Sequence, residues 1–324
     1  MILADTWNDY QVLDCGDGEK LERFGQYVLR RPDPQAIWPK SDMEWWSDAH
    51  YLRSATGGGA WQFHSQLPEQ WQLRWTCPTQ SGGAGKSGRA AQAGGQPGKS
   101  GGTAQSGPKS LSFVVRPTGF KHMGIFPEQA ANWAWMMGKI AKRKAANAGG
   151  PIQILNLFGY TGAATAACAA AGASVVHVDA ARGMVFWGKD NLAASGLANA
   201  PVRWMVDDCT AFVNREIRRG NRYHGIILDP PSYGRGQNGE VWKLEDNIAA
   251  FLELCRQVLA DDPLFVVLNS YTTGLQPAVA ANLLQLFFGD AGAVTSDELC
   301  LPVQSRGITL PCGVTARMNC NDQT

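Results

Sequence analysis

The chain has 324 residues, of which 44% are hydrophobic, and its formal net charge is +1. This length and hydrophobic content predict a globular protein with one large domain or two modest ones, and the near-neutral charge does not indicate a polyanionic partner, although local basic patches leave nucleic acid open. The first residues have no basic start, and no apolar stretch approaches the roughly 18 residues of a membrane-spanning helix. We therefore expect a cytoplasmic protein outside the membrane, and the eight scattered cysteines, which lack zinc-type spacing, predict reduced thiols and no metal.

The N-terminal part is predicted to be a small β-rich α+β domain over residues 1–120. Short β-type runs occur at 10–14, 26–30, 71–75 and 111–115. Residues 80–109 consist mostly of Gly, Ser, Ala and Gln, with scattered basic residues, and carry too few apolar side chains to offset the entropy of ordering. We expect a flexible insertion there, either a solvated linker or a segment that contacts phosphate.

A helix is predicted from Pro127, at the start of a second domain over residues 121–324. Trp133, Met136, Met137 and Ile140 recur at helical spacing after it. Proline suits the first turn of a helix, and the basic residues that end this segment suit its C-terminus.

Beyond Pro151 the pattern changes to short apolar runs separated by helix-like segments. The runs lie at 152–158, 175–179, 202–206, 225–228 and 264–269. This alternation predicts an α/β fold with a parallel sheet covered by helices. Ligands in such sheets bind beyond the carboxyl ends of the strands, so functional residues are expected directly after the runs.

The ends of the first three runs carry groups that suit a nucleoside. Gly159 and Gly162 allow a tight turn and close backbone approach before an alanine-rich helix. Asp179 ends the next run, where a carboxylate can accept hydrogen bonds from both ribose hydroxyls. After the third run come Asp207, Asp208 and Cys209, where an acid can accept from an adenine amine while the following backbone amide meets a ring nitrogen.

The fourth run ends in Asp229, Pro230, Pro231, Ser232 and Tyr233. The two prolines rigidify the chain, the carboxylate and carbonyls can accept from a base amine, and the aromatic ring can stack on an extruded or single-stranded base. A dehydrogenase is the competing hypothesis, because a glycine loop followed by an acid also serves NAD. The loop lacks G-x-G-x-x-G and no hydride-transfer partner stands out, whereas methyl transfer from a sulfonium needs alignment more than acid–base groups.

The segments NLFGYTG, LDPPSYG, GEVWKLED and LNSYTTGL, together with Asp179 and Asp208, resemble the class I S-adenosylmethionine-dependent methyltransferases related to the bacterial large-subunit ribosomal RNA methyltransferases. The resemblance covers about residues 115–324 and implies a Rossmann-like, seven-stranded, mostly parallel sheet. It implies S-adenosylmethionine as cofactor, S-adenosylhomocysteine as product and RNA, ribosomal RNA above all, as partner. The cofactor-binding residues that it implies are Phe158, Gly159, Tyr160, Gly162, Asp179, Asp208, Cys209 and Asp229. The catalytic loop that it implies is Asp229, Pro230, Pro231 and Tyr233.

Two departures from the relatives bear on the target atom. Relatives that methylate cytosine C5 use a cysteine on the loop after a later strand, and residues 269–274 here contain none. Direct attack of a base nitrogen on the methyl group is therefore favoured over covalent C5 chemistry. Ser232 separates the second proline from the aromatic residue, unlike the amino-methyltransferase form, which disfavours an exocyclic amine as target.

The segment KHMGIFPEQ resembles the stretch beside the cofactor in the same family, so Lys121 and Gln129 are candidates for the rim of the substrate site. The glycine-flanked segment that carries Arg235 and Lys243 is a candidate lid. Two alternatives stay open: a methyltransferase for a protein or small molecule, and a module that binds the adenosine cofactor without turnover.

Overall fold

The computed structural model describes residues 1–54, 58–77, 108–146, 150–235, 241–272 and 274–320. The predicted insertion at 80–109 lies outside the described residues except for its last two positions. The strands that precede it and follow it directly are β1 Ile2–Leu3, β2 Tyr10–Gly16, β3 Glu19–Phe24, β4 Tyr27–Pro32, β5 Ala49–Arg53, β6 Gly59–Phe63, β7 Trp71–Thr76 and β8 Ser110–Val115.

Two small sheets form the N-terminal part. One has five strands in the order β2-β3-β4-β5-β6, and the other is the antiparallel pair β7-β8. All four β-type runs predicted before residue 120 are strands, while β3, β5 and β6 escaped prediction. Trp75 and Phe113 are fully buried in the core, whereas Trp46 is exposed. The division into domains at residue 120 stays a prediction.

The C-terminal part is an α/β sandwich. In chain order its elements are a 3-10 turn Pro127–Gln129, α1 Ala130–Ala145, β9 Gln153–Leu157, α2 Ala163–Ala170, β10 Ser174–Asp179, α3 Arg182–Ala194, β11 Val202–Val206, α4 Cys209–Arg219, β12 Gly225–Leu228, β13 Tyr233–Arg235, β14 Val241–Lys243, α5 Leu244–Arg256, β15 Phe265–Ser270, α6 Pro277–Phe288, β16 Ala293–Pro302 and β17 Thr309–Asn319. The helix predicted from Pro127 and all five predicted apolar strands are present. No helix in the described ranges is long and apolar enough to cross a membrane.

The large sheet has the order β1-β16-β17-β15-β12-β9-β10-β11. The central pairs are parallel, and β17 runs antiparallel to both of its neighbours. Seven of its strands come from beyond residue 150, which confirms the predicted class I architecture. The eighth, β1, pairs parallel with Leu299 and Cys300 at the sheet edge, and its two residues are too few for a sequence pattern to reveal.

Buried contacts fix the N-terminal sheets against this sandwich. Trp75 and Phe113 share one hydrophobic cluster with Trp133 of α1. The indole of Trp187 on α3 donates to the carbonyl of Val114 at 2.8 Å. The ends of β3 and β4 lie beside the carboxyl edge of the large sheet, where Lys20, Arg31 and Asp179 line one cavity.

Candidate active site

A cavity of about 610 Å³ opens at the carboxyl ends of β9 to β12. It lies where the strand order reverses between β9 and β12, which is the usual ligand position in open α/β sheets. The predicted residues that line it are Lys121, Phe158, Tyr160, Asp179, Asp208, Cys209, Asp229, Pro230 and Pro231. Gln129, Gly159 and Gly162 line a smaller cavity of about 50 Å³ beneath the loop after β9. The structure thus brings most of the predicted positions to one place.

The loop after β9 holds a rarely populated backbone conformation. Phe158 and Tyr160 have φ angles of 56° and 50°, a left-handed region that costs non-glycine residues free energy. Gly159 is required between them, because a Cβ there would lie 2.4 Å from the ring of buried His177. A hydrogen bond of 2.9 Å from the Gly159 amide to the Val178 carbonyl ties the loop to β10.

Asp179 ends β10 and stabilises the same loop. One of its carboxylate oxygens accepts from the Tyr160 amide and the other from the Ala181 amide, each at 2.8 Å. Burial raises the pKa of this carboxyl group, and the two amides oppose that shift. Because a carboxylate oxygen has two lone pairs, each oxygen can still accept from a ligand in the cavity.

Asp208 and Cys209 follow β11 at the start of α4. Asp208 is the N-cap of this helix, and its side chain accepts from the Ala211 amide at 2.8 Å. The buried thiol of Cys209 accepts from the Phe158 amide at 3.3 Å. Burial raises the pKa of that thiol well above its ordinary value, so it stays protonated and helps to shape the loop.

The Asp229-Pro230-Pro231 segment leaves β12 and turns across the cavity. Burial, assisted by the nearby Glu128 carboxylate, raises the pKa of Asp229 to about 7. The indole of Trp242 donates to the Pro231 carbonyl at 2.7 Å, and its ring packs on Phe158 with centroids 5.2 Å apart. These contacts hold the prolines against the loop after β9.

Glu128 and Tyr271 on the far wall of the cavity were not predicted as site residues, whereas Trp242, which also lines it, belongs to the predicted lid segment. The Gln129 amide donates to the Tyr271 hydroxyl at 2.8 Å, and the Tyr271 ring packs on Phe126 with centroids 5.2 Å apart. Burial and the carboxylate of Glu128 raise the pKa of Tyr271 well above its ordinary value. Tyr271 lies inside the segment LNSYTTGL, which carried the family resemblance, but no role was predicted for its ring.

A second cysteine, Cys312, also lines the cavity and was not predicted. It belongs to β17 and lies outside the 269–274 loop, which contains no cysteine. Burial and the Glu128 carboxylate raise the pKa of its thiol well above its ordinary value. Because the thiolate is the nucleophilic form, this environment disfavours covalent attack by Cys312.

The N-terminal sheet forms the remaining wall, and its cations Lys20 and Arg31, which were not predicted, lie beside the predicted rim residue Lys121. The lining residues there are Lys20, Arg31, Pro32, Asp33, Pro34 and Gln35, joined by Lys121 and His122. Arg31 makes a buried ion pair with Glu22, with the two groups 2.6 Å apart. The wall therefore combines a paired arginine with two lysines, of which Lys20 lies 3.2 Å from Asp33.

Other predicted residues lie away from the cavity lining. Tyr233 is 52% exposed and Lys243 lies opposite it on the β13–β14 ribbon. Lys243 pairs with Asp246 at 3.8 Å, and both side chains are largely exposed. The backbone of Arg235 pairs with Val241 in the same ribbon. In the part of the chain that the structure describes, no group of three or more His, Cys, Asp or Glu residues is arranged to hold a metal ion.

Comparison with known proteins adds to this geometry. Residues 124–273 match the protein family described as S-adenosylmethionine-dependent methyltransferase. The crystal structure of an S-adenosylmethionine-dependent methyltransferase from Agrobacterium tumefaciens is 31% identical, with a TM-score of 0.81, over 99% of this chain and 93% of that chain. The structure of a Streptococcus mutans protein described as an S-adenosylmethionine-dependent methyltransferase is 16% identical and has a TM-score of 0.66. The match covers 97% of this chain and 76% of that one, and it shows a shared fold.

Ribosomal RNA methyltransferases are also similar to this chain. The ribosomal RNA large subunit methyltransferase K/L of Shewanella frigidimarina is 26% identical over 193 residues, which are 59% of this chain and 25% of that protein. The chain therefore spans about a quarter of the length of this curated relative.

Proposed function

Because the chain belongs to the S-adenosylmethionine-dependent methyltransferase family, we propose that it methylates a base of RNA, ribosomal RNA above all, by direct attack of a base nitrogen on the methyl group. The observation that carries this proposal is one cavity lined by the carboxylates at the ends of β10 and β11, by the Asp229-Pro230-Pro231 segment and by a cationic wall. A nucleoside cofactor fits one side of that cavity, and an anionic substrate fits the other.

The residues of the first side fit the cofactor. Asp179 keeps free lone pairs for ribose hydroxyls, and Asp208 lies next along the strand ends, where an adenine amine would be met. The left-handed backbone at Phe158 and Tyr160 exposes main-chain groups to the cofactor, and Gly159 and Gly162 have no Cβ that would obstruct this loop. When bound, S-adenosylmethionine supplies a methyl group on a sulfonium, and S-adenosylhomocysteine remains after transfer.

In this proposal Asp229, Pro230, Pro231 and Tyr233 form the catalytic loop. The Asp229 carboxylate accepts a hydrogen bond from the target base, and its pKa of about 7 makes it a competent proton acceptor near neutral pH. The two prolines, held through Trp242, fix the direction of approach, which matters because methyl transfer depends on alignment. Tyr233 is exposed on the ribbon beside the loop and would stack on the base or its neighbour.

A nitrogen target agrees with the state of the thiols. Attack at cytosine C5 requires a thiolate that adds to the ring, and burial favours the protonated forms of both Cys209 and Cys312. A ring nitrogen that bears a proton forms the new bond to the methyl carbon as the carbon–sulfur bond breaks, and its proton passes to the Asp229 carboxylate, so no thiolate is required. The RNA substrate also supports a cytoplasmic location, with which the free thiols of all eight cysteines are compatible.

The test is transfer of radiolabel from S-adenosylmethionine by the purified protein to separated RNA, protein and metabolite fractions from cells that lack it. We expect label in RNA that nuclease releases and proteinase does not. Label confined to protein or metabolites would instead support those substrates. Tight cofactor binding with no transfer to any fraction would support a non-catalytic binding module.

A further inference from the structure

The cationic wall of the cavity contains one more basic side chain than it has acidic partners. Arg31 makes two hydrogen bonds to Glu22, at 2.6 and 2.8 Å. Lys20 lies 3.5 Å from Glu22 and 3.2 Å from Asp33. These two cations and two carboxylates balance one another, so Arg31 and Lys20 leave no net charge for a ligand.

Lys121 is the third basic side chain of this wall, and the two carboxylates already pair with Arg31 and Lys20. Its ammonium donates to the Pro32 carbonyl at 3.3 Å, and among the described residues it forms no ion pair with a carboxylate. Burial, with Lys20 and Arg31 close by, lowers the pKa of Lys121 to about 8, although the Asp33 carboxylate opposes this shift. Burial and the neighbouring cations therefore outweigh the attraction of Asp33 for this ammonium.

The backbone at Lys121 is held in place by the same cluster. The Arg31 guanidinium donates to the Lys121 carbonyl at 2.9 Å, which ties the 116–123 segment to the N-terminal sheet. Asp33, the carboxylate that acts on Lys121, lies 3.2 Å from Lys20, and no ion pair between Lys121 and Glu128 is present among the described residues. Lys121 is thus a positioned, uncompensated positive charge in the wall of a cavity.

We propose that Lys121, held by Arg31 and Pro32, forms an anion subsite that binds a backbone phosphate of the RNA substrate beside the target nucleotide. The proposal rests on the proposed function, because it names what the substrate side of that cavity recognises. A phosphodiester carries one negative charge, which matches the single charge left over. Burial from water strengthens such a charge-assisted contact relative to one on the surface.

The cofactor carboxylate is the other oxyanion that could reach the cavity. The carboxylates assigned to the nucleoside lie at the ends of β10 and β11, while Lys121 lies against Pro32 of the N-terminal sheet. We therefore assign the subsite to the substrate and design the test to separate the two sources.

The first arm compares Lys121→Met, Lys121→Arg and wild-type protein in methyl transfer to RNA from cells that lack the protein. Methionine keeps the length of the side chain without its charge, and Lys189→Met, on the exposed face of α3, controls for loss of any positive charge. We expect Lys121→Met to raise KM for RNA on the order of tenfold with little change in kcat, as fits one lost charge-assisted contact. Lys121→Arg and Lys189→Met should stay close to wild type, and the dissociation constant of S-adenosylhomocysteine should not change.

The second arm measures acetylation of Lys121 in the wild-type protein by mass spectrometry, with limiting acetic anhydride. Inorganic phosphate should slow modification of Lys121 several-fold relative to Lys189, and S-adenosylhomocysteine should not. Protection by S-adenosylhomocysteine, together with its weaker binding to Lys121→Met, would assign the subsite to the cofactor and overturn the proposal. No protection by phosphate would also overturn it. Protection by phosphate without methylation of RNA would support the anion subsite while the RNA substrate itself failed.

Discussion

The two sides of the cavity are built in different ways. The cofactor side consists of the ends of β9, β10 and β11, which follow one another within about fifty residues and hold their polar groups through local backbone contacts. The substrate side combines β3 and β4, the 3-10 turn at Pro127–Gln129, the Asp229-Pro230-Pro231 segment, Tyr271 and Cys312. Its parts are far apart in the chain and meet through tertiary packing.

The carboxylates of the two sides also differ in their hydrogen-bond partners and in their electrostatic environment. On the cofactor side, the carboxylates of Asp179 and Asp208 accept from backbone amides. On the substrate side, burial raises the pKa of Glu128 and of Asp229, and the Glu128 carboxylate adds to the shift of Asp229. Lys121 forms no ion pair with a carboxylate in the described ranges. We expect changes on the cofactor side to weaken cofactor binding, and changes on the substrate side to alter transfer or its pH dependence.

The largest effect is expected from Asp229→Asn. Loss of the proton-accepting carboxylate should lower kcat for methyl transfer by about two to four orders of magnitude, as for other positioned acid–base groups. The dissociation constant of S-adenosylhomocysteine, measured by calorimetry, should change far less. Equal losses in both quantities would move Asp229 to the cofactor side, and wild-type turnover would remove its catalytic assignment.

Gly159→Ala tests the close approach on the cofactor side. Its Cβ would lie 2.4 Å from the His177 ring, so the loop after β9 must shift, and we expect about 3 kcal/mol weaker cofactor binding. The double variant Gly159→Ala with His177→Ala removes the obstructing ring and should recover part of the loss. If the single variant binds cofactor as wild type does, the loop does not depend on this contact.

Asp179→Ala should weaken S-adenosylmethionine binding by about 1–3 kcal/mol, the loss expected for charge-assisted hydrogen bonds. The loop after β9 also loses its contact to the Tyr160 amide, so thermal unfolding should be measured beside binding. Asp207→Ala is a matched control at a neighbouring strand end, where the carboxylate pairs with Arg215 instead. Unchanged affinity in Asp179→Ala would displace the ribose assignment.

The smallest effect is a change of pH profile on the substrate side. Asp229 has a raised pKa of about 7, so it is protonated below that pH, and methyl transfer should rise as pH increases through about 7. Glu128→Gln removes one cause of the raised pKa while burial remains, so the rise should move to lower pH. The gain below neutral pH should be less than about tenfold, the factor that one pKa unit represents. An unmoved profile would show that another group controls the rate.

The same contrast limits what the sequence can predict. The parallel strands, the helix after Pro127 and the residues at the strand ends follow from short-range patterns, because strand order places those ends at one edge. Glu128, Cys312 and Arg31 gave no such signal, since a lone acid, thiol or arginine acquires a role only when packing brings distant segments together. The strand β1 and the buried ring of His177 beside Gly159 likewise depend on tertiary contacts.

The most direct test of the account is nucleoside mass spectrometry of RNA from cells that lack the protein, after incubation with S-adenosylmethionine and either wild-type protein or Asp229→Asn. The account predicts a nucleoside methylated on a ring nitrogen with wild-type protein, and almost none with Asp229→Asn. A 5-methyl pyrimidine, or no new methylated nucleoside while another cellular fraction gains the methyl group, would contradict the central claim that this cavity presents a base nitrogen to the cofactor.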